Sequence, residues 1–270
     1  MKLQTLWWVL IGVIVISAGF YIYNDIYSKS VQEVVQNEEI QLEDGLILEE
    51  GSQGGITIAP IENKKNTIST PVPDLNQPII FGDNVSDREK ELATEKINKL
   101  TKELKKDSSF FSNWIELGLY RKSIGDYAGA RDAWKYANVL QPLNFLPYNN
   151  LGDLYHFYLK DYPKSEENFQ KAIEHSVENT GVYIGLHELY KYSYKQDTTS
   201  VVDILLEGIE TVENDIDLLI TLASYYKERG NIAKGDMVNA KKYYEQAREK
   251  AQKLGNTQLI EAITQEISNL

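Results

Sequence analysis

The stretch GDYAGARDAWKYA, residues 125–137, alternates very small side chains with very large ones and holds no obvious catalyst. Its asymmetry is that of a packed surface. Two antiparallel helices approach closely only where small residues face each other, as Gly118 and Ala130 would, and a bulky Trp134 then fills the space the next helix leaves.

Self-comparison extends this reading along the chain, because weak similarity at a fixed period marks a repeat architecture. Trp114, Leu117 and Gly118 recur 34 residues later as Tyr148, Leu151 and Gly152. Leu151, Gly152 and Tyr155 recur after 35 residues as Leu186, His187 and Tyr190, and these after 36 as Leu222, Ala223 and Tyr226. A second set keeps step: Ala130, Trp134 and Ala137, then Ser165, Phe169 and Ala172, then Val202, Leu206 and Ile209, then Ala240, Tyr244 and Ala247. Spacing inside each set is constant, and only the distance between sets grows. Every insertion therefore falls in the turn between two helices.

These residues resemble the tetratricopeptide repeat (TPR). Its aromatic, Leu and Gly or Ala on a first helix, then Ala, aromatic and Ala on a second, then Pro, are met by Trp114, Leu117, Gly118, Ala130, Trp134, Ala137 and Pro142. Arg121 stands where the pattern has Tyr, and the resemblance thins in the third repeat, where His187 replaces the small residue. The resemblance covers roughly residues 111–250 as repeats 111–144, 145–179, 180–215 and 216–250. It implies an all-α fold, a right-handed superhelical stack of antiparallel helix pairs with about four repeats plus capping helices. SDRE at 86–89 is a capping-box signature opening a helix over 87–106, with Ala93, Ile97, Leu100 and Leu104 on one face. A closing helix over 257–270 has Leu259, Ile263, Ile267 and Leu270 on one stripe with polar residues opposite, as a solubilising cap requires.

Nothing in the chain reads as chemistry. Cysteine is absent, so no thiolate metal site, Cys nucleophile or disulfide exists. HELYK at 187–191 lacks the second His of a zinc protease motif, His156 and His175 have no spaced carboxylate, and GSQGG at 51–55 lacks the Lys-Ser/Thr of a phosphate loop. The expectation is a non-enzyme without cofactor or metal.

What remains is surface. In TPR folds the first helix of each pair lines a concave groove, and here the positions offset from the packing set are Ile115, Leu119 and Lys122, then Asn149, Asp153 and His156, then Ile184, Glu188 and Lys191, then Ile220, Ser224 and Lys227. This mixture suits an extended peptide or a partner helix. The carboxylate-clamp specificity of some TPR proteins needs Lys and Asn early in the groove, where Ile115 and Leu119 stand. A competing reading buries some of these apolar positions under the extra N-terminal helix.

The N-terminal third has another character. Residues 6–23, LWWVLIGVIVISAGFYIY, are free of charge, with Trp7 and Trp8 at one end and Tyr21 and Tyr23 at the other. As a helix this run just spans a bilayer with aromatic rings at both interfaces. A cleaved signal peptide is the alternative, with Ser17, Ala18 and Gly19 as the small-residue site. Both export the remainder, and the anchor reading keeps the short tail with Lys2 cytoplasmic. Residues 24–85 carry NEEIQLEDGLILEE, GSQGG and four of the seven prolines, the composition of an extended acidic linker. Its apolar islands 45–48, 56–61 and 78–81 are candidates to dock as strands or peptide-like segments. Net charge is −7 over residues 1–85 and −5 over 86–270, with no basic stripe, which disfavours nucleic acid. The sequence thus reads as a membrane-tethered interaction module for other proteins, in envelope assembly or translocation. Soluble export after cleavage, a non-catalytic ligand-binding module, or a small enzyme built on the stack are the alternatives.

Overall fold

The computed structural model describes residues 46–50, 56–60, 70–196, 199–213, 215–230 and 234–270. The apolar run 6–23 lies outside these residues. Among the described residues no helix is long and apolar enough to cross a membrane.

Two compact units divide the chain, residues 1–67 and 68–270. In the first, β1 (Leu46–Glu50) pairs antiparallel with β2 (Ile56–Pro60), Leu48 opposite Ile58. Two of the apolar islands given as candidate strands, 45–48 and 56–61, thus overlap β1 and β2, which pair with each other. From residue 86 onward the described residues are helix and turn only. They form ten helices: α1 (Asp87–Lys106), α2 (Phe111–Ser123), α3 (Tyr127–Leu140), α4 (Phe145–Leu154), α5 (Tyr162–His175), α6 (Thr180–Tyr192), α7 (Ser200–Thr211), α8 (Asp217–Arg229), α9 (Lys234–Lys253) and α10 (Thr257–Ser268). A π-helical turn, Tyr155–Leu159, continues α4. Each helix packs on its neighbour in sequence, so short turns set them antiparallel in pairs α2/α3, α4/α5, α6/α7 and α8/α9, with α1 and α10 at the ends.

Caps fix the ends. Ser86 accepts from the Glu89 amide while Glu89 accepts from the Ser86 amide, the reciprocal pair that SDRE encodes. Asp126, Asn144, Asp161 and Asn256 cap α3, α4, α5 and α10 with side-chain oxygens.

Gly118 and Trp134 occupy the same pair: a Cβ on Gly118 would lie 2.6 Å from Trp134 Cδ1, and the indole N–H donates to the Ile115 carbonyl at 3.1 Å. The large residue thus fills the gap left by the glycine of its own pair, a correction to the expectation that it fills space left by the next helix. Phe169 does both, lying against Gly152 of its own pair and Gly185 of the next. Trp114, Leu117, Ala130, Ala137, Leu151, Tyr155 and Ala172 are buried with them.

Residues 70–85 do not behave as linker. Leu75, Ile79, Phe81 and Val85 pack on the core of the first pair, and the Gly82 amide donates to the Ile124 carbonyl at 2.7 Å. Gly125, at φ +86°, permits this crossing, because a Cβ there would stand 2.9 Å from Gly82 N. The island 78–81 is therefore part of the helical unit.

Candidate functional site

The first helices α2, α4, α6 and α8 stand side by side, α4 touching α6 and α6 touching α8, with the second helices behind them. Ten of the twelve side chains expected to line their outer face are partly or fully accessible: Leu119, Lys122, Asn149, Asp153, Ile184, Glu188, Lys191, Ile220, Ser224 and Lys227. Two are not. Ile115, 3% exposed, belongs to the buried cluster that includes Ile97, Leu100 and Leu104 of α1, so the N-terminal helix covers it. His156, 1% exposed, sits in the π-turn. Its repeat equivalents Lys122, Lys191 and Lys227 remain at the surface, whereas at His156 the π-turn inserts an extra residue into the helical register, leaving His156 buried and Phe157 and Tyr158 exposed.

Ionic links join the face across successive helices. Lys122 of α2 pairs with Asp153 of α4, Lys191 of α6 with Glu228 of α8 at 2.6 Å, and Lys227 of α8 with Glu266 of α10 at 2.7 Å. The step from α4 to α6 departs from this. There Asp153 and Glu188 oppose each other, and burial, with the Asp153 charge, pushes the Glu188 carboxyl up against the pull of Lys191. A neutral bond links these helices instead, between His156 Nε2 and Ser193 Oγ at 3.0 Å.

Aromatic rings that the repeat register did not flag complete the face. Lys122 Nζ lies 5.1 Å from the centre of the exposed Tyr158 ring, and Lys191 Nζ lies 4.7 Å from that of Tyr192. Tyr192 directly follows Lys191 and could have been read from sequence; Tyr158 reaches its place through the π-turn and could not. Ser224 turns partly inward to a hydrogen bond with Tyr244 Oη at 3.0 Å.

Two of the three histidines, His156 and His187, sit as core groups. His187 Nδ1–H donates to the Val201 carbonyl at 2.8 Å, and burial holds its pKa down. His156 is likewise lowered, by burial first and then by Lys160. Among the described residues no group of His, Asp and Glu could hold a metal ion.

The unit of residues 68–270 is a stack of paired helices, α1 to α10. No protein-family model matches the chain, and no curated protein does. Solved structures similar to it include MamA, with a TM-score of 0.47, 21% identity and coverage of 63% of this chain and 98% of that one. A second is the MamA RS-1 ArsTM double mutant, with a TM-score of 0.45, 14% identity and coverage of 63% and 98%. A third is YrrB, described as a TPR protein with an unusual peptide-binding site, with a TM-score of 0.41, 14% identity and coverage of 63% and 91%.

Proposed function

We propose that this protein is a non-catalytic interaction module of the TPR type, which holds a peptide segment or helix of a partner protein on its first-helix face. One observation carries the reading. Leu119, Lys122, Asn149, Asp153, Ile184, Glu188, Lys191, Ile220 and Lys227 share one face across four helices, part-exposed, and Lys122, Asp153, Lys191 and Lys227 among them are fixed by ion pairs between helices. Apolar and charged groups fixed together in this way suit a partner that lies across several repeats.

Photo-crosslinking of the full chain in native membranes tests this. A photoreactive residue at Leu119, Asn149 or Ile184 is expected to capture a discrete protein, and one at Gln246 or Glu249 on the second helix α9 is not. Equal capture from both sets would remove the face as the site.

Residues 6–23 support membrane anchoring and a place for the helical unit outside the cytoplasm, in envelope assembly or translocation. An intact mass that retains residue 1, with resistance to alkaline carbonate extraction, is the expected result. A mass beginning just past residue 19 would instead make the protein a soluble export.

A further inference from the structure

A second groove lies on the other side of the stack, between the second helices α5 and α7 and above α6. It encloses about 380 Å³. Ile173, Leu186 and Ile204 form an apolar floor, and Glu174, Asp203 and Glu207 form an exposed rim on both walls. Among the described residues no Lys or Arg lines it. Among the same residues none of the three carboxylates has an ion-pair partner.

Repeat alignment shows that this charge is local. One residue after the small position of the second helix stand Arg131, Glu166, Asp203 and Lys241 in the four repeats; four residues further on stand Lys135, Gln170, Glu207 and Glu245. The first repeat is basic at both positions. Facing acidic walls thus belong to the junction of the second and third pairs, where like charges across the gap oppose its closing. Lys195 lies 2.5 Å from Glu166, which also accepts from the groove residue Tyr190, and Lys171 of α5 pairs with Glu167 at 2.7 Å and feels the charge of Glu174.

From this geometry we infer that the α5/α7 groove is a docking site for a basic segment of a partner protein, distinct from the first-helix face. An arginine or lysine enters with its methylene stem along Ile173, Leu186 and Ile204 and its charge between Glu174, Asp203 and Glu207. The shape and charge match: a long aliphatic stem covers apolar surface while its head stays at the polar rim. An anionic lipid surface would be repelled by the same rim.

The test is fluorescence anisotropy of the full chain in non-ionic detergent, using a short labelled peptide of alternating alanine and arginine. Glu174→Gln with Asp203→Asn and Glu207→Gln should weaken binding about tenfold, three charge contacts being lost together. Glu95→Gln with Glu249→Gln and Glu261→Gln changes the net charge equally and should leave affinity unaltered, as should Asn149→Ala with Lys191→Ala. Far-ultraviolet circular dichroism identical to that of the unmodified chain is required of each variant. Four results overturn the inference: no binding of the arginine peptide, equal binding when glutamate replaces its arginines, equal loss in the two charge variants, or loss confined to the first-helix variant. The last would leave the first-helix reading standing, and the expected pattern does not depend on that reading.

Discussion

Trp134 lies across Gly118 so closely that a methyl group on the glycine would overlap the indole, 2.6 Å from its Cδ1. Both residues are buried, and the indole N–H is tied to the Ile115 carbonyl, so the ring has nowhere to move. Gly118→Ala is therefore expected to destabilise the protein, although alanine is the better helix former by about 1 kcal/mol. Overpacking of this kind costs roughly 1–3 kcal/mol. A lower urea midpoint at unchanged slope checks this, and the combined Gly118→Ala, Trp134→Leu change should recover part of the loss.

Arg121 and Asp126 form an ion pair in which both side chains are almost wholly buried, 1% and 3% exposed. Asp126 also caps α3 through the Gly129 amide at 3.0 Å. Asp126→Ala would leave a guanidinium buried without its partner, which costs roughly 3–5 kcal/mol. Arg121→Met with Asp126→Asn should be far milder, because no charge then stays behind. Thermal unfolding of the single and double variants separates the two outcomes.

The terminators of the first helices form a series. Gly125, Lys160 and Lys195 stand 35 residues apart and have φ of +86°, +56° and +57°. Glycine adopts this left-handed region freely and lysine does not, at roughly 1–2 kcal/mol per residue. Lys160 is exposed, so Lys160→Gly should raise stability by roughly 0.5–1 kcal/mol after the greater freedom of glycine in the unfolded chain is counted. Lys160→Val should lower it. A rise in melting temperature for glycine and a fall for valine is the expected pair.

Buried His156 and His187 give a pH dependence. Both pKa values lie below the ordinary 6.5 because burial disfavours the imidazolium. The unfolded chain therefore binds protons that the folded chain refuses, and stability falls as pH drops below 6.5 towards the folded pKa values. Above 6.5 both states are neutral and the contribution is flat. His156→Gln should reduce the slope of stability against pH in this window. Denaturant unfolding across the window measures it, and an unchanged slope in the variant would assign the dependence elsewhere.

The repeat, its small and large positions and the capping helices were legible because each depends on local spacing and on volume. Gly118, Trp134, Gly152 and Phe169 declare themselves by size alone. The face was legible only in part. Ile115 is hidden by α1, and His156 is turned inward by a π-turn that no residue type announces. The packing of Leu75, Ile79, Phe81 and Val85 escaped for a related reason. These residues sit in a Pro-containing stretch without helical period, and their partners lie some fifty residues further along the chain. Arg121, out of place in the repeat pattern, is explained only when Asp126 and the space beside Gly129 are seen together.

The strap of residues 70–82 runs antiparallel to α3, from Thr70 and Pro71 beside Val139 to Gly82 at Ile124. This sets a mechanical path. A pull on Thr70 along the α3 axis must slide Leu75, Ile79 and Phe81 over their contacts and part the Gly82–Ile124 hydrogen bond before any load reaches α1. Such contacts yield together in shear rather than one at a time in peeling. Force-extension traces taken between residues 70 and 270 should show a discrete event that releases the strap before the helices unravel, and Gly82→Pro, which lacks the donor, should lower its force. Until the strap yields, traction from the N-terminal side enters the fold through the first helix pair and not through α1.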